Sequence, residues 1–291
     1  MLVRLHGGLG NQLFQLLAAR YISKKNEVAI EIFAGDLKRF QTKRLFEIIP
    51  LLRDETLVEQ IDLVDHFLLK NKISKIAGKF SIHSIASVSQ VNKWNGQILN
   101  GYFHDIFNYK DYSLVACLVK EIDADLQRIA PINPAHFSIN INRSGAIHLR
   151  LGDFLQIGKG RDFLLKYRLP FIKETAAKLL EKQEVDNFIV FTDDPVKARQ
   201  LLSGPEYIFL EDLIHAKLSL LHEFNLLTKF IHIIPSNSTF SYWTSILGNR
   251  KTVYFSPLWK NDDKIENAIF LENIQLHQTI FPQAQCLIPS T

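Results

Sequence analysis

Sulfur is scarce in this 291-residue chain, which carries two cysteines, Cys117 and Cys286, and one methionine. Two thiols make no disulfide framework and no CxxC metal pair, so a reducing compartment is the simpler reading. Long apolar runs are missing as well. The best candidate, 218–234, is broken by His222, Glu223, Asn225, Lys229 and His232. It falls short of the roughly 18 uninterrupted residues a membrane span needs. The opening MLVRLHGGLGNQ reaches glycines and an Asn-Gln pair too early for the apolar core of a signal peptide. These absences predict a soluble, cytoplasmic protein.

Charge of one sign is not in excess either. The 34 Lys and Arg face 30 Asp and Glu, a formal charge of +4. That surplus suits an anionic small substrate or an anionic membrane surface, and gives no argument for nucleic acid. There is no HExxH, and the ten histidines show no ligand spacing, so no metal site is expected. Neither a Gly-x-Ser-x-Gly elbow nor a cysteine–histidine signature appears. What the chain does have is core: 47% of its residues are hydrophobic and 11% aromatic, which excludes disorder as the main state.

Short apolar runs alternate with helical patterns, which predicts an α/β fold with largely parallel sheets. In the first half the expected elements are a strand over 2–6, a helix with Leu13, Leu16, Leu17 and Tyr21 on one apolar face, and a strand over 28–33. A mostly helical stretch over 54–79, a strand over 97–103 and a helix over 111–130 follow. A second series begins at Gly145, with strands over 146–150, 187–192, 230–234 and 252–255. Helices are expected over 170–184, after Asp194-Pro195, and over 239–247. The Pro131–Ser144 region marks the boundary, giving domains of 1–140 and 141–291 with a cleft between them. Ligands of open α/β sheets bind at the carboxyl ends of the strands, so 148–153, 192–194 and 235–239 should share one edge.

Each polar cluster at these ends has a functional and a structural reading. Gly7-Gly8-Leu9-Gly10-Asn11-Gln12 could admit an anion to a helix start, or be a tight turn; it is neither a Walker loop nor a dinucleotide fingerprint. Arg150, on the strand face shared with His148, could hold phosphate oxygens, or pair with Asp153. Asp194 reads as a helix cap, whereas Asp193 is available to orient a base, a ribose or an arginine. Ser238 and Thr239 could cradle phosphate at a helix start, or simply cap it. Asp123-Ala124-Asp125 spells a metal-binding Asp-x-Asp but reads as a solvated acidic face. Leu69, Ile73, Ile76 and Phe80, among Lys70, Lys72, Lys75 and Lys79, read as a core helix with a wet lysine face. A peripheral contact with anionic membrane is the alternative.

Taken in order, the motifs are similar to those of the α-1,2-fucosyltransferase family (glycosyltransferase family 11). Gly7-Gly8-Leu9-Gly10-Asn11-Gln12-Leu13-Phe14-Gln15 resembles that family's opening. Gly101-Tyr102-Phe103-His104 resembles its Gly-Tyr-Phe-Gln, and His148-Leu149-Arg150-Leu151-Gly152-Asp153 its His-x-Arg-Arg-x-Asp. Phe191-Thr192-Asp193-Asp194 and Ser236-Asn237-Ser238-Thr239-Phe240-Ser241-Tyr242-Trp243 match two further motifs. The resemblance implies a GT-B-like fold of two Rossmann-like domains and inverting transfer of L-fucose from GDP-fucose to a galactoside 2-hydroxyl. No cofactor or metal is required in that family. The implied acceptor is a galactose-terminated oligosaccharide or lipid-linked glycan in bacterial surface polysaccharide synthesis, with a peripheral inner-membrane location as an option.

By the same resemblance Arg150 holds the β-phosphate with Ser238 and Thr239, and His148 contacts the guanosine end. Glu223 stands where the family has a nucleotide-directed Asp, and Asp193 and Asp194 match an acidic pair needed for activity. Gly10, Asn11 and Gln12 face the cleft, and Asp153 is the candidate base. Leu151 for the second arginine, Glu223 for Asp and His104 for Gln are departures. Two other readings are a catalytically weak nucleotide-sugar or glycan-binding protein on the same fold, and a metal-dependent transferase using Asp123 and Asp125.

Overall fold

The computed structural model describes residues 1–35, 37, 47–58, 84–152, 162–214, 218–248, 251–256, 258, 272 and 284–287. The chain divides into two compact units, Met1–Ile122 and Asp123–Thr291. The division falls inside the helix Tyr112–Ile129, ahead of the proline-bearing 131–144 segment, because that helix starts in one unit and ends in the other.

Unit 1 is built on a five-stranded parallel sheet. Its strands are β1 (Leu2–Arg4), β2 (Glu31–Phe33), β3 (Thr56–Val58), β4 (Ser84–Ile85) and β5 (Ile98–Leu99), in the order β3-β2-β1-β5-β4. These are shorter than the sequence runs suggest. Thr56–Val58 corrects the helical expectation there: its ladder to β2 makes it a strand. Residues 59–83, including the lysine stripe at 69–80, lie outside the described residues.

Helix α1 (Leu9–Asn26) also departs from its expected single apolar face. Thirteen of its residues are buried, among them Gln12, Gln15 and Arg20. Burial of these polar groups is tolerated because each is bonded. Arg20 Nε lies 2.7 Å from Glu55 Oε1, and its Nη2 donates to the Leu51 carbonyl at 2.9 Å. Its exposed residues are confined to the last turn, with Lys24 and Lys25.

Unit 2 holds a six-stranded parallel sheet of β6 (Ser144–Leu149), β7 (Asn187–Thr192), β8 (Tyr207–Phe209), β9 (His232–Ile234), β10 (Lys251–Tyr254) and β11 (Ala284–Leu287). The order is β11-β10-β9-β6-β7-β8. From β8 across, these are the third, second, first, fourth, fifth and sixth strands of the unit. That is the order of a doubly wound nucleotide-binding sheet, whose direction reverses between β6 and β9. Helices α2 (Tyr112–Ile129), α3 (Leu169–Glu181), α4 (Pro195–Leu201), α5 (Leu220–Leu227) and α6 (Thr239–Ile246) complete the labelled set.

Alternation along the strands splits the core across the sheet. Ile147, Leu149, Phe188 and Val190 pack with Ile172, Ala176 and Leu179 of α3. Ala146, Ile189, Phe191 and Ile233 pack with Leu226 and Leu227 of α5. Strand β6 is buried at all six positions, as a central parallel strand covered on both faces must be. Among the described residues no helix is long and apolar enough to cross a membrane.

Candidate functional site

The chain leaves β6 at Arg150 and β9 at Pro235. These adjacent strands pair Ala146 with Ile233 and Ile147 with Ile234. Their carboxyl ends therefore flank the reversal point, where open α/β sheets take ligands.

The turn after β6 is fixed from β7. Asp193 Oδ1 accepts from the Leu151 N–H at 2.7 Å and the Gly152 N–H at 3.1 Å, and its Oδ2 lies 3.1 Å from the same Gly152 N. A Cβ at residue 152 would stand 2.6 Å from Asp193 Oδ2, so glycine is what lets the carboxylate close on the backbone. Of the roles open to Asp193, the structure shows it bracing the main chain that follows Arg150. Asp194 is the cap expected of it. It accepts from the Lys197 N–H at 3.1 Å and pairs with Lys197 Nζ at 2.7 Å, which holds its carboxyl below the usual range.

After β9, the Pro235–Ser238 loop leads into α6. Ser238 is its N-cap, accepting from the Ser241 N–H at 3.1 Å, and Thr239 is the first helical residue, half-buried. Behind that helix start lies a buried hydroxyl–imidazole network. Ser236 Oγ and Ser241 Oγ are 3.0 Å apart, Ser238 Oγ and Ser241 Oγ 3.1 Å, and Ser236 Oγ sits 3.3 Å from His148 Nδ1, which also bonds Ser241 Oγ. Burial drives His148 down to about 4, against the opposing pull of Asp193, so its imidazole is neutral at pH 7. The first-turn N–H groups of α6 and the helix dipole then favour an anion in front of this network.

One contributor escapes sequence reading. Arg168, 2% exposed, donates from Nη2 to the Pro235 carbonyl at 2.7 Å, at the root of the serine loop. It has no carboxylate partner among the described residues, and burial pulls it down to about 9. Tyr167-Arg168-Leu169 looks like an ordinary helix edge, and nothing in the one-dimensional pattern marks its burial.

Beside β7 and β8 opens a cavity of about 350 Å³. Val190, Thr192, Phe209, Leu210 and Ile214 line it, with Glu223 from the first turn of α5. Burial, and then the Asp193 charge, raises the Glu223 pKa. A largely apolar slot of this size with two carboxyls, Glu211 and Glu223, at its wall suits a planar heterocycle that offers N–H donors.

The glycine loop in unit 1 is placed differently from expectation. Gly10 is buried within α1, and Asn11 Oδ1 meets His104 Nε2 at 3.1 Å. Gln12, expected to face ligand, is instead 0% exposed. Its Oε1 accepts from the Glu47 N–H at 3.0 Å and the Ile48 N–H at 3.3 Å, and its Nε2 donates to the Gly7 carbonyl at 3.0 Å. Its amide is committed to main-chain groups. The acidic pair in α2 is corrected too: Asp125 is 3% exposed and bonds Arg128 rather than forming a solvated face. Asp153 lies outside the described residues. Among the described residues no three His, Cys, Asp or Glu side chains group as a metal site would need.

The chain is 23% identical over 265 residues to the O-antigen biosynthesis glycosyltransferase WbnK of Escherichia coli, covering 82% of this chain and 87% of WbnK. It is similar to the crystal structure of the fucosyltransferase NodZ from Bradyrhizobium, at TM-score 0.47 and 12% identity over 84% of this chain and 91% of NodZ. A second NodZ structure, of the alpha-1,6-fucosyltransferase soaked with GDP-fucose, gives TM-score 0.47 and 13% identity with the same coverage. The family model described as glycosyl transferase family 11 matches residues 1–276, and the chain belongs to that family.

Proposed function

We propose that this glycosyltransferase moves L-fucose from GDP-fucose to the 2-hydroxyl of a galactoside, forming an α-1,2 linkage with inversion at the anomeric carbon. The observation that carries the reading is that Arg150 and the loop leading into α6 follow the two neighbouring strands that flank the reversal point of the unit 2 sheet. A diphosphate set there would have its oxygens between a guanidinium and helix N–H groups. As the fucosyl C1–O bond breaks, its electron pair leaves on the β-phosphate, and fixed donors stabilise that charge without reorganising. The reading therefore assigns the charge to protein groups rather than to a metal ion or cofactor.

Arg150, Ser238 and Thr239 hold the diphosphate. Asp193 fixes the turn that carries Arg150, and Asp194 caps α4 beside it. His148 acts through Ser236 and Ser241, keeping the helix start in register. The guanine enters the cavity next to β7, with Glu223 accepting from its N–H edge. The acceptor hydroxyl attacks C1 from the face opposite GDP, and Asp153, three residues after Arg150, takes its proton. Residues 1–140 serve the acceptor and 141–291 the donor. The acceptor in this reading is a galactose-terminated oligosaccharide or lipid-linked glycan, and the name of the Escherichia coli relative, an O-antigen biosynthesis glycosyltransferase, supports a role in surface polysaccharide synthesis.

Thermal stability in EDTA with GDP, UDP and ADP tests the donor. At about a hundred times its dissociation constant a ligand stabilises the native state by roughly 2.7 kcal/mol. GDP alone should do so; equal effects of all three nucleotides would refute the assignment. NMR of the product made from GDP-fucose and methyl β-galactoside checks linkage and anomer.

A further inference from the structure

Unit 1 has a reversal point of its own. Strands β1 and β5 are neighbours there, with β2 and β3 to one side and β4 to the other. His6 follows β1, and Asn100-Gly101-Tyr102-Phe103-His104 follows β5, so these residues occupy the carboxyl edge where a parallel sheet takes ligands.

Three rings gather at that edge. Tyr102 is 43% exposed and stacks on His104, with centroids 5.3 Å apart and planes 24° apart. His6 meets Tyr102 edge-on at 6.0 Å. Both imidazoles are held by side-chain amides: His6 Nε2 lies 2.8 Å from Asn100 Oδ1, and His104 Nε2 3.1 Å from Asn11 Oδ1. Phe14 packs edge-on against His104 at 5.0 Å.

The turn that carries them is strained and pinned. Phe103 has a φ of +55°, a left-handed conformation that is an outlier for a bulky side chain. Its own ring is buried at 2% exposure while the rings on either side stack together. Gly101 packs so close to the next segment that a Cβ would stand 2.5 Å from Ala86 Cα. Gln15, fully buried, donates to the Gly101 carbonyl at 3.0 Å. Strain held by surrounding structure is found where a site needs its groups set in advance.

A stacked, half-exposed aromatic with amide and imidazole groups at its rim matches a ligand with one apolar face and a fringe of hydroxyls. A pyranose is such a ligand. An anion is not, because burial holds His104 at about 4 and so uncharged at neutral pH. We propose that the Tyr102–His104 stack, with His6, Asn100 and Asn11 around it, is a hexose-binding platform for the acceptor sugar. The ring's C–H face lies on Tyr102, and the amide and imidazole groups at the rim bond its hydroxyls. The sugar identity rests on the glycosyl-transfer reading; the platform rests on unit 1 alone.

Saturation-transfer NMR titrations with methyl β-galactoside, methyl β-glucoside and methyl α-mannoside test this on wild type, Tyr102→Ala and Tyr102→Trp. Melting temperature with and without GDP is measured on all three proteins. At least one glycoside should bind the wild type, weaken by about tenfold in Tyr102→Ala, as expected when an aromatic anchor is cut to Ala, and recover in Tyr102→Trp. The melting temperature and the GDP stabilisation should stay unchanged. Equal glycoside binding by wild type and Tyr102→Ala, or no binding to the wild type, overturns the platform. Glycoside binding that depends on Tyr102 in a protein that GDP does not stabilise supports the platform and overturns the donor reading.

Discussion

The two carboxyl edges of this protein are made of different chemistry. At the edge of the first sheet, Gln12 and Gln15 give their amides to backbone groups and neutral rings stack above them. At the edge of the second stand two arginines: Arg150, which directly follows β6, and Arg168, bonded to the Pro235 carbonyl. Both edges use buried side chains to hold a loop in place, but among the described residues past the strand ends only the second carries arginines. A neutral polyhydroxylated ligand and an anionic one need this contrast. Two similar sheets can thus be specialised at their loops while their frames stay alike.

Arg150→Ala should give the largest effect. Loss of one preorganised donor to a developing anion lowers kcat by about a hundred- to a thousandfold. The melting temperature of the unliganded variant should hold, and glycoside binding at Tyr102 should persist. A loss of glycoside binding in this variant would break the division of labour between the edges.

Gln12→Ala tests the other side. It removes the acceptor serving the Glu47 and Ile48 N–H groups and should cost about 2–3 kcal/mol in urea denaturation. GDP affinity of the folded variant should match the wild type. A selective loss of GDP affinity would return Gln12 to the ligand side.

Acid sharpens the comparison further, because each edge buries one histidine. His104 and His148 are both lowered to about 4 by burial, from an ordinary value near 6.5. Between those values the unfolded chain binds protons that the folded chain does not. Stability is therefore present above pH 6.5 and lost as pH falls toward 4, on the order of 1.4 kcal/mol per pH unit for each histidine. Urea melts at pH 7 and pH 5 should show this slope, and His148→Gln and His104→Gln should each remove about half of it.

The smallest effect is expected at Asp194. Asp194→Ala removes the cap of α4 and should cost about 1 kcal/mol in thermal unfolding, with Asp194→Asn retaining most of it.

Legibility followed element length and the distance to the deciding partner. Strands β6 and β7 are six residues long and largely apolar, and the Asp194-Pro195 and Ser238 caps announce helices α4 and α6. All four can be read locally. Unit 1 is harder, because β4 and β5 are two residues long and three residues such as Thr56-Leu57-Val58 show no periodicity. They become strands only because neighbours supply the ladder. The same limit applies to side chains. An amide looks identical whether it faces water or backbone, and the groups that claimed Gln12 lie 35 and 36 residues away. Asp125 and Arg168 were hidden for the same reason, since burial is a property of the packed helix and leaves no mark on the residue.

The sequence by itself determined the alternating α/β series, the caps and the ordered motifs that place the chain in glycosyl transferase family 11, because these depend on contacts a few residues long. Tertiary structure alone decided which strands became neighbours. It therefore also decided that Arg150 and the α6 start share one reversal point while Tyr102, His104 and His6 share another. Those juxtapositions join residues some 90 apart, and no local pattern encodes pairing at that range.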